Sequence, residues 1–185
     1  MKNILKGAIW ISFFCFCACS KHTPAVYEVV GMSLGNSNNT GENPFDASID
    51  SIPKQAYAIK ITLNEVMRIK REGDAQENGF INEDQLTSLN IFSLNNFDGS
   101  HTAGTSLNSY FLTQLNSSAT IDGFISKGQI GGGKYNGGNY IDSWSTDQYF
   151  YLMIPPSSPS SQSFVVEIGF SDGRSMSDTI KVKLY

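Results

Sequence analysis

Cysteine is absent from most of this chain, because all three cysteines (Cys15, Cys17 and Cys19) lie near its beginning. The residues that follow can form no disulfide among themselves and offer no thiol nucleophile. Histidine is almost as scarce, and neither His22 nor His101 belongs to a zinc-ligand spacing. We therefore expect a domain of a size that its core can stabilise, with no metal and no cofactor.

The chain also lacks a hydrophobic run long enough to cross a membrane. Its longest apolar stretch, residues 7–18, is interrupted only by a serine and falls short of the roughly 20 residues that a spanning helix needs. Lys2 and Lys6 precede this stretch, and the small residue Ala18 ends it directly before Cys19. A charged start, a short apolar middle and a small residue before the cut are typical of a secretory signal peptide.

The sequence around Ala18 and Cys19 resembles the lipobox of bacterial lipoproteins, although Phe16 stands where an aliphatic residue is usual. The resemblance implies a signal peptide at residues 1–18, acyl chains such as palmitate on Cys19, and a lipidated tether at residues 19–24. Several acyl chains hold a protein in a bilayer almost irreversibly, since each buried methylene contributes about 0.8 kcal/mol. The expected location is the bacterial cell envelope, at the outer membrane, with the mature domain periplasmic or surface-exposed. The alternative is an ordinary cleaved signal with an incidental cysteine.

Basic residues are fewer than acidic ones in this chain. The chain has 13 basic and 17 acidic residues, and removal of Lys2 and Lys6 with the signal leaves a net charge of −6. An acidic protein is poorly suited to nucleic acid and to adhesion on anionic lipid. The membrane is therefore expected to be a partner only through the N-terminal lipid.

Alternating apolar residues predict a mostly β domain. Residues 56–63 place Tyr57, Ile59, Ile61 and Leu63 on one face, which is the period-2 pattern of a half-buried strand. Further strands are expected at residues 25–34 and 86–94, and at residues 148–154, where apolar side chains on both faces predict a central strand covered on both sides. The predicted fold is a single domain over residues 25–185, an antiparallel β-sandwich that is immunoglobulin-like or related.

The connections between these strands carry weaker signals. Residues 35–53 have loop composition, and residues 64–71 fit either a continued strand or a helical turn. One or two short helices are expected within residues 105–127. Ser106 would cap the first, which would contain Tyr110 and Phe111, and Thr120 would cap the second.

The last two strands are joined by an Asp-Gly turn whose length the register decides. A two-residue turn would pair Phe170 with Ser175 and place core residues opposite polar ones, because a slip of one residue moves a whole strand to the other face. A three-residue loop at residues 171–173 pairs Phe170 with Arg174 instead. It puts Gly173 in the left-handed position of a bulge.

Residues 128–145 form a glycine-rich segment that contains Tyr135, Tyr140 and Trp144. Its glycines and Lys134 partly match a phosphate-binding loop, but Tyr135 stands where that motif needs a serine or threonine, so nucleotide is excluded as a partner. The three aromatic residues could stack on sugar rings or on a partner protein. The alternative is that Trp144 belongs to the core, since tryptophan is highly buried on average.

Three segments resemble an uncharacterised family of Gram-negative envelope lipoproteins: residues 54–61, residues 102–108 and the hairpin at residues 164–174. The family carries no established activity, so the resemblance implies a location and no chemistry. Asp50-Ser51-Ile52 separately resembles a tripeptide that is glycosylated in some bacterial periplasms, which makes Ser51 a candidate acceptor.

Catalytic signals are weak. His101 lies near Asp98, but no G-x-S-x-G motif supplies a nucleophile beside them. We therefore expect a non-enzymatic protein: a lipid-anchored binding or assembly module whose partner is an envelope protein or a glycan. The alternatives are a glycan-binding accessory protein that uses Tyr135, Tyr140 and Trp144, and an enzyme.

Overall fold

The computed structural model describes residues 25–41, 43–47, 51–69, 80–82, 84, 86–115, 117–126 and 147–185. The predicted signal peptide, tether and lipidation residue Cys19 lie outside the described residues. The same holds for Tyr135, Tyr140 and Trp144 of the glycine-rich segment.

The described residues form eleven strands, one α-helix and two short 3-10 turns. In chain order the elements are β1 (Ala25–Asn38), β2 (Phe45–Asp46), β3 (Ser51–Ile52), a 3-10 turn (Lys54–Ala56), β4 (Tyr57–Ile69), β5 (Phe80–Asn82), β6 (Leu86–Ser93), a 3-10 turn (Asn108–Tyr110), β7 (Phe111–Leu115), β8 (Ser117–Thr120), α1 (Ile121–Ser126), β9 (Asp147–Leu152), β10 (Ser160–Phe170) and β11 (Ser175–Leu184). The predicted mostly β fold is confirmed.

Two sheets divide the strands between them. The first has the order β2-β1-β4-β9-β7-β8, with β5 added beside β1, and the second has the order β3-β11-β10-β6. Neighbours are antiparallel except for β5 on β1 and β3 on β11, which are parallel. The two sheets enclose one hydrophobic core in a sandwich-like arrangement, to which both contribute alternate residues.

Aromatic rings connect the two sheets across this core. The ring of Tyr57 on β4 stacks on the ring of Phe164 on β10, with centroids 5.5 Å apart. Phe111 on β7 meets the same Phe164 ring edge-on at 5.9 Å. All three side chains are almost completely buried, and burial of one such side chain contributes about 1.5–3 kcal/mol.

The C-terminal hairpin has the predicted register. Phe164 lies opposite Ile180 and Ile168 lies opposite Met176. The backbone N–H of Phe170 donates to the carbonyl of Arg174 at 2.9 Å, which closes a three-residue loop. Gly173 has a φ of 86°, a left-handed conformation that glycine adopts without steric cost.

The prediction for residues 35–53 is only partly right, since they include the end of β1, all of β2 and all of β3. β1 continues through Asn36 because the side chain of Asn36 has partners from both sheets. It accepts a hydrogen bond from the Tyr57 hydroxyl at 3.0 Å and donates one to the Lys181 carbonyl at 2.9 Å. These long-range bonds override the weak strand preference of asparagine. The ambiguity at residues 64–71 is resolved as far as Ile69, where β4 ends.

The predicted helix after Ser106 is wrong in extent. Only the 3-10 turn Asn108–Tyr110 forms there, and Phe111 begins β7 because it pairs with Leu152 of β9. The predicted cap of the second helix is confirmed, since the Thr120 hydroxyl accepts the backbone N–H of Gly123 at 3.2 Å.

The outer edge of β6 is covered by the segment of residues 104–108. The backbone N–H of Gly104 donates to Ser93, and that of Leu107 donates to Ile91, at 2.8 and 2.7 Å. The Asn108 amide accepts the N–H of Ile91 and donates to the carbonyl of Leu89, both at 2.9 Å. These bonds occupy backbone groups that an edge strand otherwise presents to other chains.

Candidate functional site

β9 carries two tyrosines on the outer face of the first sheet. Gln148, Phe150 and Leu152 are buried, whereas Tyr149 and Tyr151 alternate with them and are partly exposed. The prediction of a central strand is confirmed, since β9 lies between β4 and β7. The prediction that both of its faces are covered is wrong, because only one face turns toward the core.

Polar side chains of β4 lie beside these tyrosines. Lys60 is directly opposite Tyr149, and Thr62 is opposite Asp147. The Thr62 hydroxyl donates to the Asp147 carboxylate at 2.7 Å. We call these five residues (Lys60, Thr62, Asp147, Tyr149 and Tyr151) the tyrosine face.

Charges on the tyrosine face are compensated. The ammonium of Lys60 donates to the Asp46 carboxylate at 2.7 Å and lies 3.9 Å from the Asp147 carboxylate. The hydrogen bond to Asp46, together with both carboxylate charges, raises the pKa of Lys60. Burial raises the pKa of Tyr151, and the neighbouring Tyr149 contributes in the same direction. Tyr151 is therefore neutral at physiological pH.

Small residues of β1 flank the tyrosine face. Gly35 is opposite Lys60, and Ser33 is opposite Thr62. A Cβ atom at Gly35 would lie 3.4 Å from Cε of Lys60, so the lysine stem lies across this glycine.

A second polar cluster lies in the loop after β6. One oxygen of Asp98 accepts the backbone N–H groups of Ser100 and His101, at 2.7 and 2.8 Å, and faces Nδ1 of His101 at 3.0 Å. The other oxygen accepts the hydroxyl of Tyr110 at 2.9 Å. The rings of His101 and Tyr110 are in contact, with centroids 4.5 Å apart.

These bonds decide the protonation state of Asp98. Partial desolvation raises its pKa, but the hydrogen bonds from His101, Ser100 and Tyr110 outweigh this effect and hold the pKa at about 2. Such a carboxylate stays ionised and does not accept a proton near neutral pH. The contact between His101 and Asp98 that the sequence suggested is therefore present, and the bond from Tyr110 to the same carboxylate holds the loop against the 3-10 turn Asn108–Tyr110.

A protein-family model matches residues 29–181, and its description is a domain of unknown function (DUF5034). The chain belongs to the DUF5034 family. The DUF5034 match runs from within β1 to within β11 and so includes both sheets. No curated protein and no solved structure matches the chain.

The third cluster joins the two sheets of the DUF5034 domain at the C-terminal hairpin. The guanidinium of Arg174 donates to the carboxylates of Asp84 and Asp172 and, at 2.8 Å, to the backbone carbonyl of Val29 on β1. The buried carboxylate of Asp84 also accepts the backbone N–H of Val29 at 2.6 Å. Arg174 further lies over the ring of Phe170, with its guanidinium carbon 5.2 Å from the ring centroid.

Sequence reasoning missed this cluster because its members are far apart in the chain. Asp84 comes 90 residues before Arg174, and no local pattern connects them. The sequence predicts only that Arg174 directly follows the three-residue loop. Its role depends on the pairing of β10 with β11 and on the approach of the hairpin to β1.

Ser51, the candidate glycosylation residue, lies in β3 opposite Lys183 of β11 and is partly exposed. The predicted loop at this position is wrong, because Ser51 belongs to a short edge strand. Its modification stays a prediction. Within the part of the DUF5034 chain that the structure describes, no group of three or more His, Cys, Asp or Glu residues could hold a metal ion, and no helix is long and apolar enough to span a membrane.

Proposed function

We propose that this DUF5034 chain is a lipid-anchored protein of a bacterial envelope whose β-sandwich acts as a non-catalytic binding or assembly module. The observation that carries the module role is the hydrogen bonding of Asp98. Its carboxylate has a pKa of about 2 and is engaged by loop groups on both oxygens. A catalytic base usually has a pKa near the working pH, so this carboxylate serves the architecture of the loop.

The other charged clusters also have a structural role. Arg174 joins β1 to the C-terminal hairpin, and Lys60 joins β2, β4 and β9 through its carboxylate partners. Charged groups that hold strands and loops in place give a rigid scaffold. A scaffold of this kind suits recognition by surfaces that the sheets and loops present.

The N-terminal sequence supports the anchored location. Residues 1–18 have the organisation of a signal peptide, and Cys19 follows a small residue as lipid attachment requires. The net charge of −6 for the mature chain gives no electrostatic attraction to anionic lipid. Acyl chains on Cys19 are the anchor that this proposal needs, and the outer membrane is the proposed location.

Expression of the full chain in a Gram-negative host tests the anchor. The Cys19→Ala variant should lose label from an alkyne analogue of palmitate and move from the membrane fraction to the soluble fraction. Cys17→Ala is the matched control and should keep both label and membrane association. Equal labelling of the two variants would contradict lipidation at Cys19.

Crosslinking in the same host tests the module role. A photoreactive residue at position 149 should trap an envelope partner in intact cells, whereas one at position 89, in the buried core, should trap none. Identical products from both positions would contradict a binding role for the outer face of the first sheet.

A further inference from the structure

We propose that the tyrosine face is a binding site for a neutral oligosaccharide. This inference rests on the proposed binding role and names its ligand class. The face consists of Tyr149 and Tyr151 on β9 together with Lys60, Thr62 and Asp147.

The two tyrosines have the spacing that a chain of sugar rings needs. They are two residues apart on one strand and point to the same face, which places their attachment points about 6.6 Å apart. Each aromatic ring can then cover a different sugar ring of one oligosaccharide.

The charge on the face favours an uncharged ligand. Its single cation, Lys60, is matched by Asp46 at 2.7 Å and by Asp147 at 3.9 Å. A phosphate or carboxylate ligand would meet these two acidic groups along with the lysine. A nucleic acid is disfavoured for the same reason, since its binding depends on uncompensated cations.

The polar groups of the face match sugar hydroxyls. A hydroxyl group both donates and accepts hydrogen bonds, as do the hydroxyls of Tyr149 and Tyr151. The Thr62 hydroxyl donates to Asp147 and so offers a ligand an acceptor. Asp147 adds acceptor oxygens, and Lys60 adds donors. The glycine at position 35 leaves room for the stem of Lys60 to pass close beside it.

The test uses the full chain purified in detergent and a panel of neutral hexasaccharides: cellohexaose, maltohexaose, mannohexaose and chitohexaose. At least one should bind, and the double variant Tyr149→Ala/Tyr151→Ala should weaken its binding by about tenfold or more. Tyr149→Phe/Tyr151→Phe keeps both rings and should retain most of the affinity. Tyr185→Ala is the control, because this tyrosine is exposed and lies at the end of β11.

Three outcomes would overturn the inference: no probe binds, the double alanine variant binds as the wild type does, or a trigalacturonate probe binds more tightly than every neutral probe. If the double alanine variant does not fold, ring signals of Tyr149 and Tyr151 in a labelled wild-type sample should shift on titration with the bound probe, while that of Tyr185 stays in place. Shifts of Tyr185 alone would equally refute the site. A failed sugar screen leaves the palmitate label and the crosslinking result unaffected, so the two proposals fail separately.

Discussion

Replacement of Asp84 by alanine should destabilise the domain more than any other change in the Arg174 cluster. The side chain of Asp84 is 7% exposed, and its carboxylate accepts the N–H of Val29 at 2.6 Å. Its removal leaves that N–H without this acceptor, which costs about 1–3 kcal/mol. Loss of the partly exposed ion pair with Arg174 adds up to about 1 kcal/mol. The expected decrease in the free energy of unfolding is therefore about 1–4 kcal/mol.

Asp172 provides the matched control, because it binds the same guanidinium from a side chain that is 46% exposed. Asp172→Ala should lower the free energy of unfolding by clearly less than Asp84→Ala, because water screens an exposed ion pair. Urea unfolding followed by circular dichroism measures both values, and the melting temperature of Asp84→Ala should fall by roughly 10 °C for a domain of this size. Equal losses for Asp84→Ala and Asp172→Ala would refute the idea that Asp84 joins the two sheets.

Three further predictions concern the core, the hairpin and the loop. Phe164→Ala should lower the free energy of unfolding by about 3–5 kcal/mol. The control Phe45→Ala, at a side chain that is 50% exposed, should change it by less than about 0.5 kcal/mol. Similar losses for the two variants would contradict the core position of Phe164. Gly173→Ala should cost about 1–2 kcal/mol by the same measurement, because alanine is strained at a φ of 86°, and an unchanged urea midpoint would argue against this turn. The pKa of Asp98 lies at about 2 in the folded chain, below the value of about 3.9 for an unfolded aspartate. Its stabilising contribution should therefore be complete above about pH 4 and be lost as the pH falls toward 2. The urea midpoints of wild type and Asp98→Asn should converge over this range. A constant difference between the two midpoints would contradict the low pKa of Asp98.

The C-terminal hairpin shows how much of the fold local pattern can predict. Phe164 and Ile168 share one face of β10, and only the three-residue loop keeps them opposite the apolar residues Ile180 and Met176. The register followed from sequence because both strands and their loop are adjacent in the chain. The same local logic identified the buried face of β4.

Elements that depend on distant partners could not be predicted in this way. Asn36 extends β1 through bonds to Tyr57 and Lys181, and Phe111 begins a strand because β9 lies beside it. The tyrosine face was missed for a related reason. Alternation reveals that Tyr149 and Phe150 point in opposite directions, but whether anything covers the second side of a sheet depends on the whole fold.

The covered edge of β6 has a consequence for the order of folding. Residues 104–108 follow β6 closely in the chain, whereas its sheet partner β10 begins only at Ser160. Short loops close before long ones. In a chain that emerges N-terminus first, residues 104–108 can therefore cover the outer edge of β6 before β10 has been added to its other edge. Until β10 arrives, β6 has only one edge with unpaired backbone groups, and that is the edge with which β10 of the same chain later pairs.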